Sequence, residues 1–363
     1  MQITNCHIHT FTAQHVPDRY AGFFGQFLRY RAFRLVVLWI IRFVGHTPRS
    51  RLARYARILE TSYQRDQEAI FNIAQSFYPP GTRFVILPMD MTHMKAGKLS
   101  ESVAMQHEEL EQLQRGYSDL VVLFAAVDPR HPDIVPNTIE LLERHGFRGI
   151  KVYPPVGFHP NDPALADLYR YASEHAIPVL SHCSRRGVLY RGKASAAMIP
   201  NGASEGKSRK VSNKEKIIRL ADPANFVPVL DKHPKLKLCL AHFGGDEEWA
   251  KYRNESSSSG NPDPERNWLA KIADLIKSGR YENLYTDISY TLFSDDAYVQ
   301  MLKNLLADPQ LRKRVLFGSD FYVVEDAKLE ERQTWPRIRS VLGEDLFRLI
   351  AEENPRQYLG STA

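Results

Sequence analysis

Residues 147–183, FRGIKVYPPVGFHPNDPALADLYRYASEHAIPVLSHC, contain two short apolar runs separated by a segment with helical spacing. The runs FRGIKVY (147–153) and IPVLSHC (177–183) are nearly continuous, as strands are when both faces of a parallel sheet are covered. Between them, DLYRYASEHA (167–176) has apolar residues three or four apart, which indicates an amphipathic helix. The stretch therefore predicts a strand–helix–strand unit of the kind that builds parallel α/β folds.

The same alternation recurs along the whole chain. Segments with helical spacing occur at 66–77 and 133–146, and each is followed by a further apolar run. Eight runs alternating with helices predict one α/β domain over residues 1–363, a (β/α)8 TIM barrel, and the chain length suits a barrel of the larger kind. The predicted strands are residues 1–6, 83–90, 120–128, 147–153, 177–183, 236–242, 283–289 and 314–320.

Two predicted connections are longer than a plain barrel needs. Residues 10–82 separate the first two strands, and residues 184–235 separate the fifth strand from the sixth. Long loops are usually functional, and both connections follow strand ends, where barrel enzymes bind their substrates. We therefore expect both insertions to form lids over the site rather than separate domains.

The first insertion contains a hydrophobic stretch at residues 23–46, in which arginines interrupt Phe, Leu, Val, Ile and Trp. Its longest uncharged run, residues 35–41, is far shorter than the roughly 18 residues that a membrane-spanning helix needs. The pattern predicts an amphipathic helix that serves as a lid or as the contact of a homodimer. A membrane-surface helix is the less favoured alternative, because buried helices are commoner.

Composition narrows the function classes. The chain is 43% hydrophobic and 25% charged, which is typical of a soluble protein with a sizeable core. Its formal charge of +6 is mild, and no nucleic-acid-binding signature is present, so we expect a small anionic partner rather than nucleic acid. The first residues lack the pattern of an export signal. The three cysteines, Cys6, Cys183 and Cys239, lie in strand-like runs, which favours reduced thiols and a cytoplasmic location.

Candidate chemistry concentrates at the predicted strand ends, where barrel enzymes place their reacting groups. In NCHIHT (5–10), His7 and His9 are two residues apart, and side chains at that spacing point to the same face of a strand. Imidazole and carboxylate together suit zinc, with manganese, iron, cobalt or nickel as alternatives. The sequence therefore predicts a divalent metal site among the groups that gather within or at the ends of several strands: His7, His9, Lys151, His182, His242 and Asp320.

Taken together, six motifs resemble those of the amidohydrolase superfamily, within it the amidohydrolase-related branch that contains aminocarboxymuconate-semialdehyde decarboxylase. They are NCHIHT, GFRGIKVYPP, IPVLSHCS, LKLCLAHFGG, NLYTDISY and VLFGSDF, and they span residues 1–320. The resemblance implies that His242 is an acid/base or polarising group and that Asp320 both binds metal and moves protons. It further implies one metal, with the ligands His7, His9, His182 and Asp320.

The role of Lys151 stays open at this level. Two-metal members of the superfamily carry a carbamylated lysine on the fourth strand, and the histidines of the fifth and sixth strands, here His182 and His242, bind the second ion. One-metal relatives often contain GIK as well, so Lys151 can equally be a structural group or a ligand of a substrate anion. We favour one metal because the resembled branch does so.

Several reactions and binding residues are consistent with this sequence. We expect a hydrolase that uses a metal-activated water to cleave an amide, lactone or ester bond of a small, carboxylated substrate. Non-oxidative decarboxylation is the alternative, which GSDFYVVED (318–326) weakens because it lacks the proline of the pattern GSDxP. A catalytically inactive binding barrel is a third, disfavoured by the complete ligand set.

Candidate ligands of a substrate carboxylate are Arg130, Arg185 and Lys151. Arg186, next to Arg185, could also reach an anion, and a solvated basic turn is the alternative for this arginine pair. Arg130 has the alternative of fixing its own loop through Asp128. Asp287, at the end of the seventh predicted strand, is expected either to orient a ligand histidine or to cap that strand.

Overall fold

The computed structural model of the protein describes residues 1–20, 27, 30–44, 51–195, 198, 211–258, 262–291, 295–323 and 330–360. Eight parallel strands pair in sequence order, β1 to β8. Backbone hydrogen bonds from Cys6 to Phe317 (2.8 Å) and from Asp320 to His7 (2.8 Å) join the last strand to the first. The predicted (β/α)8 barrel is confirmed. The strands are Thr4–Ile8, Arg83–Ile86, Val121–Val127, Phe147–Val152, Val179–Ser181, Leu238–Leu240, Leu284–Asp287 and Val315–Leu316.

Helices follow the strands and cover the outside of the barrel, as the helical spacing between apolar runs predicts. In chain order, α1 to α14 are Arg31–Val44, Arg51–Ser62, Gln67–Gln75, Val103–Gly116, Ile134–Arg144, Ala166–Glu174, Asn213–Ile218, Val227–Lys232, Asp246–Ser258, Trp268–Lys277, Asp296–Leu305, Glu331–Leu342, Glu344–Arg348 and Asn354–Leu359.

The core has two layers because successive strand residues face opposite sides of the sheet. Outward-facing residues such as Phe84 and Leu238 pack against the helices. Inward-facing residues such as Val122 and Phe124 fill the barrel interior, where each fully buried side chain contributes about 1.5–3 kcal/mol. Tyr358 of α14 packs with them, and its hydroxyl donates to the carbonyl of Val179 at the start of β5 (2.8 Å). Apolar packing thus fills one end of the barrel, which leaves the carboxyl ends of the strands for polar groups.

Several strands end earlier than the apolar runs predict. β8 covers only Val315–Leu316, although the run continues to residue 320, and β5 ends at Ser181. The backbone of Asp320 is left-handed (φ 66°), so this residue cannot continue a strand. Polar residues beyond the strands therefore stand on turns above the barrel, where their side chains converge.

The two long connections lie where the sequence places them. The first contains α1, α2 and α3, and the predicted helix at 23–46 is observed as α1, Arg31–Val44. Residues 23–26, 28–29 and 45–46 lie outside the described part of the chain. The second connection contains α7 and α8. Among the described helices, none combines the length and the hydropathy needed to cross a membrane.

Candidate metal centre

Two buried histidines of β1 and the turn after it each have one nitrogen fixed as a donor. The Nδ1 of His9 donates to the backbone carbonyl of Leu87 (2.7 Å), and the Nδ1 of His7 donates to the carboxylate of Asp287 (2.9 Å). A neutral imidazole carries only one proton, so both Nε2 atoms present lone pairs. This is the tautomer of a metal-ligating histidine whose other nitrogen is held by an acceptor.

The two Nε2 atoms converge on Asp320. Its Oδ1 lies 3.1 Å from the Nε2 of His9 and 3.4 Å from the Nε2 of His7. The Nε2 of His7 is buried and makes no hydrogen bond, although buried polar atoms are normally satisfied. Three electron-rich atoms this close repel one another unless a positive charge lies among them. The residues present therefore fit a divalent cation, and these three ligand atoms all lie within 4.8 Å of one another.

Asp287 connects the candidate metal ligand His7 to the rest of the site. One carboxylate oxygen accepts from the Nδ1 of His7, and the other accepts from the backbone N–H groups of His242 and Ser289 (3.0 Å each). The predicted contact of Asp287 with a candidate ligand is thus present. His7, His242 and Asp287 also lie close enough to hold an ion, but the hydrogen bond between His7 and Asp287 already accounts for their approach.

His182 and His242 form a buried pair beside the three converging atoms. The Nε2 of His182 donates to the backbone carbonyl of Arg186 (2.7 Å), so its Nδ1 is unprotonated in the neutral ring. That Nδ1 lies 3.0 Å from the Nε2 of His242, and the ring of His182 stacks on Tyr153. Burial, and then the neighbouring Lys151, lowers the pKa of His182 to about 3. His182 therefore presents a lone pair at the site. This nitrogen faces His242 and is not one of the three atoms that converge at Asp320.

His242 can hold its proton on either side of its ring. With the proton on Nδ1 it donates to the carbonyl of Ser289 (3.1 Å), and with the proton on Nε2 it donates to His182. The hydroxyl of Ser289 lies 2.9 Å from the Nδ1 of His242 and also contacts Asp287. Burial lowers the pKa of His242 well below its ordinary value. A neutral imidazole that can change tautomer in this way is suited to pass a proton.

Lys151 lies beneath the histidines, within β4. It is 1% exposed, and its Nζ makes no hydrogen bond. Burial lowers the pKa of Lys151 to about 8, against the opposing effect of the Asp320 and Asp287 carboxylates. Burial also raises the pKa of Asp320. The site thus holds an unsatisfied amine and a carboxyl whose proton affinity is increased, both typical of catalytic positions.

Strained backbone coincides with this site. Left-handed conformations occur at His242 (φ 66°), Asp320 (φ 66°) and Tyr290 (φ 57°), and none of the three is a glycine. All three residues line the same cavity. Such conformations cost on the order of 1–3 kcal/mol each and cluster at functional sites. Lys95, Asp133 and Ala176 adopt the same conformation outside the cavity lining, so the strain supports this end of the barrel as the candidate site only together with its buried polar groups.

The cavity above the histidines has a volume of about 660 Å³, within the usual range for a small-molecule site. His9, His182, His242 and Asp320 form part of its floor. Its wall is mainly apolar and aromatic, and much of it comes from the first insertion and its flanking turns. Residues of this wall include Phe11, Val37, Ile58, Leu59, Met89 and Met91.

Two of the predicted substrate ligands are engaged elsewhere. Arg130 forms a two-point ion pair with Asp128 (2.8 and 2.5 Å), so the loop-fixing alternative is the arrangement observed. Arg185 pairs with Glu248 (2.6 Å) and stacks over Trp268. Neither arginine is among the described residues that line the cavity. The partner of Arg130 is the one that its sequence position offered, whereas Glu248, the partner of Arg185, is a neighbour that sequence spacing does not reveal.

Arg186, next along the chain, does line the cavity. Its half-exposed guanidinium contacts Glu247 (3.1 Å) and Asp246 (3.4 Å), and its carbonyl holds His182. No motif distinguished this residue from Arg185. Ser289 and Tyr153 also lacked a recognisable signal, because their roles depend on partners that are distant in sequence.

Comparisons with known proteins agree with this geometry. The amidohydrolase family model matches residues 91–360. No curated protein matches the chain in sequence. Among solved structures, a probable 2-pyrone-4,6-dicarboxylic acid hydrolase from Acinetobacter baumannii is 13% identical, with a TM-score of 0.55 over 99% of this chain and 100% of that chain.

Two decarboxylases are equally similar in structure. The 2,6-dihydroxybenzoate decarboxylase from Rhizobium is 14% identical, with a TM-score of 0.53 over 100% of both chains. A 5-carboxyvanillate decarboxylase from Novosphingobium aromaticivorans, whose structure holds manganese, is 15% identical, with a TM-score of 0.55 over 99% of this chain and 97% of that chain. At such identities the likeness shows a shared fold. The family model, the barrel and the histidine–aspartate centre together lead to one conclusion: the chain belongs to the amidohydrolase family.

Proposed function

We propose that the protein is a metal-dependent hydrolase that cleaves an amide, lactone or ester bond in a small, carboxylated substrate with an apolar body. The observation that carries this proposal is the convergence of two unprotonated imidazole nitrogens, of His7 and His9, on Asp320 at the floor of an apolar cavity. We propose His182 as the remaining ligand, because its Nδ1 presents a lone pair beside them. Zinc is the first candidate, and manganese is supported by the 5-carboxyvanillate decarboxylase structure.

When bound, a divalent ion supplies Lewis-acid polarisation of a substrate oxygen and makes an attacking water more acidic. The carboxylate of Asp320, which lies beside the two imidazole nitrogens, is placed to accept the proton of that water. His242, with its proton on Nε2, donates to the substrate oxygen or to the leaving group in place of the Nδ1 of His182, which is its partner in this structure. Asp287 and Ser289 orient His242 through its backbone N–H and its Nδ1.

The cavity suggests how the substrate is held. Its apolar wall favours an aliphatic or aromatic body, and Arg186 is a cation placed at its side for a carboxylate. Lys151 has an Nζ that makes no hydrogen bond, but it is 1% exposed and is not among the described residues that line the cavity. We propose Arg186 in place of Arg185 as the arginine that meets the substrate, because Arg185 is held by Glu248.

Hydrolysis is tested with metal-loaded protein and a panel of lactones, aryl esters and N-acyl acids in water enriched in ¹⁸O. We expect one ¹⁸O atom in the product acid and loss of turnover after chelation. His9→Gln should lose bound metal and activity together, whereas Gln14→Ala, a change at a residue outside the ligand set, should lose neither. Turnover that survives complete metal removal would refute the proposal.

Metal analysis of the same samples decides the role of Lys151. We expect one ion per chain, with Lys151 as an uncarbamylated amine. A value near two ions per chain that falls to one in Lys151→Met would instead support a carbamylated lysine that bridges two metals.

Non-oxidative decarboxylation is the second candidate. Its support is the apolar cavity, since a substrate carboxylate loses hydration there and becomes easier to cleave. Two of the structures described above are decarboxylases of aromatic acids, which is consistent with such a cavity. A panel of hydroxylated benzoic acids, assayed for carbon dioxide release, tests this candidate. Carbon dioxide formed without ¹⁸O incorporation into the organic product would favour it over hydrolysis.

A further inference from the structure

The outer face of α1 is the most apolar exposed surface among the described residues. Large hydrophobic side chains are normally buried, yet Leu35 and Val36 are each 54% exposed and Trp39 is 65% exposed. Phe33, one turn before Val36 and Val37, is 40% exposed. Residues three or four apart lie on the same side of a helix, so Leu35, Val36 and Trp39 form one continuous surface. We call this set the α1 apolar face.

The opposite side of the same helix faces the protein. Leu38 is buried, and Val37 lines the cavity above the metal centre. Arg34 stacks over Tyr63 of the turn after α2, which also lines the cavity. The helix is therefore anchored by its inner side, and its outer apolar side is presented outward from the wall of the candidate active site.

Charge distinguishes this segment from the rest of the chain. Residues 19–59 contain nine arginines and no Lys, Asp or Glu, whereas the whole chain has a net charge of +6. The remaining residues therefore carry a net charge of −3. Basic residues next to exposed Trp and aliphatic side chains are typical of helices that lie on anionic membrane surfaces.

We propose that the α1 apolar face docks on an anionic lipid bilayer, with Trp39, Leu35 and Val36 entering the interfacial region and the exposed Arg31, one turn before Leu35, contacting lipid phosphates. The sequence pattern alone favours a helix that is buried in the protein. The exposed fractions of Leu35, Val36 and Trp39 show that this side of the helix is not buried. A second copy of the chain is a poorer occupant, because a twofold contact through α1 brings together two copies of a segment, residues 19–59, whose formal charge is +9. An anionic membrane instead offers opposite charge over a flat area.

Docking in this way places the cavity wall next to the lipid. Val37 on the inner side of α1 and Leu59 of α2 line the cavity. A small amphiphilic molecule that moves from the bilayer into the cavity therefore has to pass only α1 and α2. The docking surface does not depend on the proposed hydrolysis, since neither Trp39 nor Leu35 lines the cavity.

Vesicle flotation with the full-length, metal-loaded chain tests the proposal. The probes are vesicles of phosphatidylcholine alone and of phosphatidylcholine with an equal amount of phosphatidylglycerol. We expect binding only to the anionic vesicles, and weaker binding at high salt because salt screens surface charge. Trp39 fluorescence, taken as the difference between wild type and Trp39→Phe, should shift to shorter wavelength on binding.

Two variants and one matched control make the test specific. Trp39→Glu should weaken partitioning about tenfold or more, because it removes a large apolar side chain from the interface. Arg31→Glu should weaken it severalfold, since each basic residue near an anionic surface contributes appreciably. Met105→Glu replaces another exposed hydrophobic residue, 46% exposed on α4, and should bind as wild type does.

Three results would overturn the proposal. One is no binding to anionic vesicles at low salt, and another is equal binding by Trp39→Glu and wild type. The third is a lipid-free dimer, measured by analytical ultracentrifugation, that Trp39→Glu dissociates and Met105→Glu does not, which would assign the α1 apolar face to a second copy. Thermal melting of each variant verifies that it folds, and retained metal content shows that the site is intact.

Discussion

Replacing Asp287 with asparagine should change the proton position on a metal ligand without changing the size of the side chain. One oxygen of Asp287 is held by the backbone N–H groups of His242 and Ser289, so the amide group of Asp287→Asn is directed toward the Nδ1 of His7. An amide nitrogen has only protons to offer. A proton on the Nδ1 of His7 then faces this amide and keeps only the Ser289 hydroxyl, 3.0 Å away, as an acceptor, which favours the tautomer with the proton on Nε2, the atom that faces Asp320.

The magnitude follows from the cost of that tautomer. Loss of an acceptor that orients a metal-bound histidine typically weakens metal affinity by about 10- to 100-fold, or about 1.4–2.7 kcal/mol. The two backbone hydrogen bonds to the remaining oxygen survive the substitution, so the fold should be retained. We therefore expect weaker metal binding with a smaller change in the unfolding of the metal-free protein.

Chelator competition with Zn²⁺ and Mn²⁺ measures the affinity, and urea unfolding of metal-free protein measures the fold. Asp128→Asn is the matched control, because Asp128 is also fully buried at a strand end but pairs with Arg130. Unchanged metal affinity in Asp287→Asn would refute the reasoning. An equal loss of affinity in Asp128→Asn would show that the effect is a general consequence of losing a buried carboxylate.

Three further predictions test the centre and its surroundings. His242→Asn should retain metal, by elemental analysis, and slow turnover by orders of magnitude; normal turnover would exclude a role in proton transfer. Gly318→Ala places a new Cβ 2.8 Å from that of His7 and should reduce metal affinity, whereas Gly116→Ala meets no atom within 4 Å and should not. Burial lowers the folded-state pKa of His107 to about 4, below the unfolded value of about 6.5, so the unfolded chain binds the proton first as pH falls. Stability should therefore drop by about 2 kcal/mol from pH 7 to pH 5 through this residue, a loss that urea unfolding should find absent in His107→Gln.

The fold could be predicted largely from local patterns. A parallel strand covered on both faces needs a continuous apolar run, and a helix on a barrel needs apolar residues at helical spacing, so both are visible within windows of about 10 residues. The polar ends of the same runs located His7, His182, His242 and Asp320. Strand lengths were less predictable, because Asp320 and His242 leave the sheet through left-handed backbone conformations that the sequence does not mark.

The roles of the cations could not be predicted in the same way. Arg130, Arg185 and Arg186 each follow a strand end, but their partners decide what they do. Asp128 engages Arg130, and Glu248, 63 residues further along the chain, engages Arg185. Arg186 is left at the cavity, and only the packing of α9 near the turn after β5 determines this difference.

By itself, then, the sequence determined the alternating barrel and the residue types gathered at its open end, because periodicity and strand-end position are properties of short segments. Tertiary structure decided which nitrogen of each histidine is free, since Asp287 lies 280 residues from the His7 that it orients. It also decided that the arginine-rich α1 forms the cavity wall with one side and exposes Trp39 on the other. Such features depend on contacts between distant segments, and only the closed barrel brings those segments together.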